Sequence, residues 1–104
     1  MSDSKFVSEL VIVICNHGFA DEIVEASREG GGRGATILHG RGSATPDMAK
    51  FLGVTIFPDK DVVLIVTKSE VRNSIMKEVM KRCGESDAHA LCFSLPVTDT
   101  IGLS

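Results

Sequence analysis

Three histidines, three cysteines and a glycine-rich stretch are the parts of this 104-residue chain whose chemistry stands out. The histidines are His17, His39 and His89; the cysteines are Cys15, Cys83 and Cys92. Imidazole and thiolate are the common ligands of zinc, and a metal centre needs several of them converging. No HxxxH, HExxH or CxxC pair occurs, and the three histidines fall on different elements. His17 follows Cys15 by two residues, which places both on one strand face only if the strand runs that far. The expectation is therefore that no metal is bound. The alternative is a metal or small-substrate site drawn from His39, His89 and Cys15. Each cysteine lies among apolar residues, where a thiol packs as a small hydrophobe. Ser, His and Asp are all present, but no GxSxG elbow sets a nucleophile beside a base, so no catalytic residue is assigned and no enzyme is expected.

Six of the ten glycines fall within GGGRGATILHGRG, residues 30–42. Such a stretch lets backbone amides approach a phosphate. Gly30 to Ala35 fits the loose dinucleotide pattern GxGxxA, but it follows a helical pattern and opens a strand, the reverse of the context that fingerprint requires. Gly30 to Gly32 read instead as a helix stop. Gly40 and Gly42, at a strand end, mark a bulge or a close backbone approach, and Arg41 between them is a ready anion partner.

The elements that must position these groups follow from periodicity. Glu9–Asn16 (ELVIVICN) is a strand apolar on both faces. From Phe19 the period lengthens, with Ala20, Ile23, Val24 and Ser27 as the buried stripe of a helix. Ala35–Gly42 is a second strand, Ser43–Lys60 a long loop, and Asp61–Thr67 a third strand. Thr67-Lys68-Ser69-Glu70 has the form of a capping box that opens a second helix, along which Val71, Ile75, Val79 and Cys83 recur every four residues up to Gly84. Ala90–Val97 alternates, with Leu91, Phe93, Leu95 and Val97 on one face.

The order βαββαβ predicts an α+β, ferredoxin-like fold, a four-stranded antiparallel sheet with both helices on one face. Strands one and three are apolar on both faces, yet the helices cover only one. Burial of the other by copies of the chain is the expectation.

Composition bounds the function. The chain is one domain, residues 1–104, with 43% apolar and 24% charged residues and a mean hydropathy of +0.17. A net charge of −3 and a pI near 5.5 exclude sequence-independent nucleic-acid binding. Disorder is excluded by the apolar content. No apolar run approaches the roughly 20 residues of a membrane span, and the start Met-Ser-Asp-Ser-Lys lacks the pattern of a signal peptide; a cytoplasmic location is expected.

The segment Gly34-Ala-Thr-Ile-Leu-His-Gly-Arg-Gly42, between a first helix and a long loop, resembles the start of strand two in PII signal-transduction proteins. The ending ALCFSLPVTDTIGL resembles the short-tailed PII-like branch of that nitrogen-regulatory family. The resemblance implies a homotrimer that binds adenine nucleotides such as ATP or ADP between subunits and uses the loop after strand two to control a partner protein, often a membrane transporter. Carried over residue by residue, it implies ligand contacts from Gly34, Thr36, Gly40, Arg41, Gly42 and Ile65. His89 stands where the family's phosphate loop has a lysine. That loop here reads GESDAHA, with Glu85 and Asp87 opposing phosphate, so a ligand with fewer phosphates, or a different small molecule, is an equal alternative. Partner contacts are expected at the loop tip, Thr45–Leu52, from Thr45, Met48, Phe51 and Leu52. Val54, Ile56 and Phe57 are expected to pack. No tyrosine is present, so a uridylylation switch has no acceptor.

Overall fold

The computed structural model describes residues 7–43, 59–84 and 86–102. Its elements are β1 (Ser8–Asn16), α1 (Ala20–Glu29), β2 (Thr36–Arg41), β3 (Asp59–Lys68), α2 (Ser69–Cys83) and β4 (Leu91–Val97). The four strands form one antiparallel sheet in the order β2-β3-β1-β4. Both helices pack on one face of it, as the βαββαβ order predicts. The expected contacts at Thr45, Met48, Phe51 and Leu52, and the expected packing of Val54, Ile56 and Phe57, lie outside the described residues.

Register decides which side chains meet the helices. Val11 and Val13 of β1 and Val63 and Ile65 of β3 point to the helix face and are fully buried with Ile23, Ala26, Ile75 and Val79. Because successive residues alternate faces, Leu10, Ile12 and Ile14 and their partners Val66, Leu64 and Val62 occupy the opposite face. Across β4 the same face continues through Leu91, Phe93 and Leu95. No described element covers this second face. Leu91 is 60% and Leu95 49% exposed, and Leu38 and Val66 are exposed with them.

The glycines after α1 do two jobs. Gly31, at φ +106°, is the left-handed residue that ends the helix. Its N–H donates to Arg28 O at 3.0 Å, and Gly32 N–H donates to Ser27 O at 2.8 Å, the paired bonds of a Schellman stop. Gly30, still right-handed, is where the helices touch. A Cβ there would lie 2.7 Å from the Ile75 Cα, so only glycine lets the two backbones approach this closely.

Two local expectations are corrected. The capping box does not form: Thr67 is a buried residue of β3 opposite Glu9, and the helix begins at Ser69 after an extended Lys68, with no side-chain cap bond. Pairing with β1 runs through Lys68 opposite Ser8, and this ladder outweighs the cap. The loop is also shorter than Ser43–Lys60 at its far end, because Asp59 and Lys60 pair with Arg41 and Gly40 as the first residues of β3. The α2 stripe is as expected, with Ile75, Val79 and Cys83 buried and Val71 half-buried.

Among the described residues, two carboxylates are built into the helix face, Glu9 and Asp61. Glu9 shares parity with Val11 and Val13, so it is turned inward and buried. Arg72 of α2 donates from Nη1 to its Oε1 at 3.0 Å and to Ser94 Oγ at 3.3 Å.

Candidate functional site

Three of the groups singled out for chemistry, Cys15, His17 and His39, gather at one end of the sheet, where β1 and β2 finish and β3 begins. Register opposes Cys15 and His39 to Asp61 from either side, since β3 lies between β1 and β2. Asp61 shares parity with Val63 and Ile65, which turns its carboxylate to the helix face at 3% exposure. A carboxylate in that position needs donors. It finds three: His17 Nδ1 and His39 Nδ1 each lie 2.9 Å from Oδ1, and the Gly18 N–H donates to Oδ2 at 3.0 Å. With Asp61 ionised, each neutral imidazole carries its proton on Nδ1. The two rings meet edge to face with centroids 5.3 Å apart. Gly18, at φ +100°, turns the chain so that its amide faces the carboxylate.

The end of β1 is anchored independently. Asn16 N–H donates to Ala88 O at 2.8 Å and its side-chain amide to Asp87 O at 2.9 Å, while Lys60 Nζ donates to Asn16 Oδ1 at 2.7 Å. Lys60 is thereby held on the asparagine.

Burial pushes the Asp61 pKa up, but the hydrogen bonds from His17, Gly18 and His39 outweigh it and hold the group at about 2, below its ordinary 3.8. The sign follows from linkage. The unfolded chain takes up a proton near pH 4 that the folded chain refuses until about pH 2, so this stabilisation is complete above pH 4 and is lost as pH falls from about 4 to about 2. His17 runs the other way: its bond to Asp61 raises its pKa, so its contribution is present at low pH and lost as pH rises through that raised value. Denaturant titrations of wild type and Asp61→Asn between pH 2 and 6 are expected to show a stability gap that narrows as pH falls through this acid window. A gap constant with pH would show that the carboxylate's charge is not what the three donors stabilise.

The alternative metal set of His39, His89 and Cys15 is not brought together. Cys15 is fully buried, and burial followed by the Asp61 charge pushes its thiol up to about 11, far from a thiolate. His89 stands before β4 in a left-handed conformation at φ 47° and is not among the groups clustered at Asp61. Among the described residues the cluster that forms is His17, His39 and Asp61. The sequence pointed to His17 as a possible ligand but left it out of the alternative set, and Asp61 was passed over. The signal was present: an aspartate two residues before Val63 and four before Ile65 falls on their buried face and requires partners.

The other named residues divide between two edges. Gly34, Thr36, Gly40 and Arg41 are exposed on or beside β2, and Gly42 is half-buried just beyond it. His89 precedes β4, on the far side of the sheet. Ile65 is fully buried in the core and offers no surface to a ligand, contrary to its expected place near an adenine ring; its parity with Val63 turns it toward the helices.

No protein-family model and no curated protein matches the chain. Solved structures do. A DUF3240 family protein from Shewanella baltica aligns over 100% of both chains with a TM-score of 0.70 at 14% identity. The Arabidopsis thaliana PII protein, solved with citrate, aligns over 92% of this chain and 82% of its own with a TM-score of 0.69 at 22% identity. A Thermus thermophilus protein assigned as PII-like and signalling aligns over 91% and 94% with a TM-score of 0.61 at 18% identity. At these identities the likeness speaks for architecture, and the chain has the ferredoxin-like fold of PII and PII-like proteins.

Proposed function

We propose that the chain acts as a trimeric, non-catalytic regulatory sensor of the PII-like kind. A small effector, with an adenine nucleotide as first choice, binds between subunits, and the segment between β2 and β3 passes its occupancy to a partner protein. The observation that supports this reading is the split between opposite edges of the residues expected to contact the ligand. Gly34–Gly42 lie at the β2 edge and His89 at the β4 edge, with β3 and β1 between them. Three inter-strand spacings make that separation about 14 Å, so within one chain the two groups do not adjoin. A neighbouring copy that brings its β4 edge beside this chain's β2 edge closes the gap. Exposed Arg41, at the β2 end from which the loop departs, suits an anionic effector. The effector shifts the loop only by its differential affinity for the loop's two states. No described helix is long and apolar enough to cross a membrane, so a transporter partner would be met from outside the bilayer.

Calorimetric titration with ATP, ADP and AMP tests the ligand. Saturable heat with one of them, reduced at least tenfold in affinity by Arg41→Ala, is the expected result. Absence of heat with all three removes the nucleotide. For the partner, Phe51→Glu beside wild type in a pull-down from membrane extract is expected to lose a target that wild type retains; equal recovery removes the loop tip from the mechanism.

A further inference from the structure

We propose that His17, His39 and Asp61 form a binding site for a divalent transition cation of the zinc, nickel and copper class, at the base of the β2–β3 connection. This goes beyond the sensor reading and does not depend on a nucleotide.

Three strands each contribute at this point. His17 follows β1, His39 lies in β2 and Asp61 in β3, and one ligand atom from each lies within 4.8 Å of the others. Bonds of about 2.0–2.2 Å at a tetrahedral centre set ligand atoms roughly 3.3–3.5 Å apart. Both N···O separations are 2.9 Å and the widest separation in the set is within 4.8 Å, so to admit a cation the rings must swing away from the carboxylate by about half an ångström and close toward each other. They are free to do so: the His17 and His39 side chains are 58% and 74% exposed. Asp61, by contrast, is fixed, with its second oxygen held by the Gly18 amide, the kind of outer bond that orients a carboxylate ligand.

Core packing does not account for both histidines. Three donors lie within what a buried carboxylate can accept, but the two imidazoles that converge on the same oxygen are both exposed, so the core does not require either ring to be there. On binding, the cation replaces the two Nδ1 protons. Each neutral imidazole moves its proton to Nε2 through solvent, and the carboxylate leaves a net charge of +1 at the site. Two imidazole nitrogens with one carboxylate oxygen suit borderline divalent ions over Mg2+ or Ca2+, which take oxygen sets. Water completes the coordination on the exposed side.

The placement gives the site a consequence. His39 is four residues before Ser43, and Asp61 is two after Asp59. A cation bridging them would pin the two stems between which residues 44–58 run.

The test uses full-length protein and Zn2+ or Co2+ alone. Equilibrium dialysis is expected to give one Zn2+ per chain, and Co2+ to give visible absorption without a thiolate charge-transfer band. His39→Ala and His17→Gln should each weaken affinity at least tenfold with unchanged circular dichroism. Zn2+ should also shift the ring resonances of His17 and His39 more than those of His89 in wild-type NMR spectra, a reading that needs no variant. No stoichiometric uptake by the folded wild type would overturn the proposal. So would full affinity in both variants, or a thiolate band abolished by Cys15→Ala. Zn2+ uptake with no nucleotide heat would count against the nucleotide sensor alone, and the reverse pair of results against this site alone.

Discussion

Ile12→Glu is expected to leave no folded assembly, either as a dissociated and destabilised chain or as aggregate. Ile12 stands in the middle of the uncovered sheet face, between Leu64 of β3 and Phe93 of β4. Around it lie Leu10, Ile14, Val62 and Val66, all on the face the helices do not cover. Each aliphatic side chain contributes roughly 1.5–3 kcal/mol when fully buried. Five of these six β1 and β3 residues are already half-buried in the single chain, so covering the face adds a fraction of that for each, on the order of a few kcal/mol in all and a large part of the stability of a small domain. Wild type at micromolar concentration is expected to sediment as a multimer, three copies in the reading preferred above, and to melt with a concentration-dependent midpoint. A folded 11.1 kDa wild-type species would sink this expectation, as would an Ile12→Glu protein with unchanged mass and melting temperature.

The second large effect lies on the other face. Arg72→Met should destabilise the chain by about 3–5 kcal/mol, because it strips a buried carboxylate of its counter-ion. Glu9 is 3% exposed, and its Oε1 is held by Arg72, while its Oε2 and the Arg72 Nε have no protein partner. The pair is thus only partly satisfied among the described residues, and loss of the guanidinium removes the charge paired with the carboxylate. The double variant Glu9→Met, Arg72→Met is expected to recover most of the loss, since a buried ion pair replaced by packed apolar groups is often neutral. Urea denaturation of the three proteins gives the comparison. If Arg72→Met costs less than about 1 kcal/mol, solvent already reaches Glu9 and the ion pair is a surface feature.

Most of the architecture was legible in the sequence because it rests on period. Valine and isoleucine runs at 10–15 and 62–66, and the four-residue recurrence from Val71 to Cys83, define strands and helix whatever they pack against. The same runs, apolar at both parities, already implied a sheet with more apolar face than two helices can cover. The glycines also carried information: Gly30 to Gly32 read as the stop of α1, and the structure puts the left-handed residue at Gly31, whose φ of +106° few other residues accept.

Tertiary structure decided what local chemistry left open. Thr67 fits an N-cap by sequence, but pairing opposite Glu9 draws it into β3, and a ladder of strand bonds outweighs one cap. Ile65 fits an adenine-side position by resemblance, but parity with Val63 turns it into the core. The site shows the same limit most clearly. His17 and His39 lie 44 and 22 residues from Asp61, and nothing local relates them. They meet because β3 is inserted between β1 and β2, and because the registers place Cys15 and His39 opposite the same aspartate. Sequence could show that Asp61 is turned inward and must find donors. Which donors it finds depends on strand order and register, and these are set by how the whole sheet buries its apolar faces.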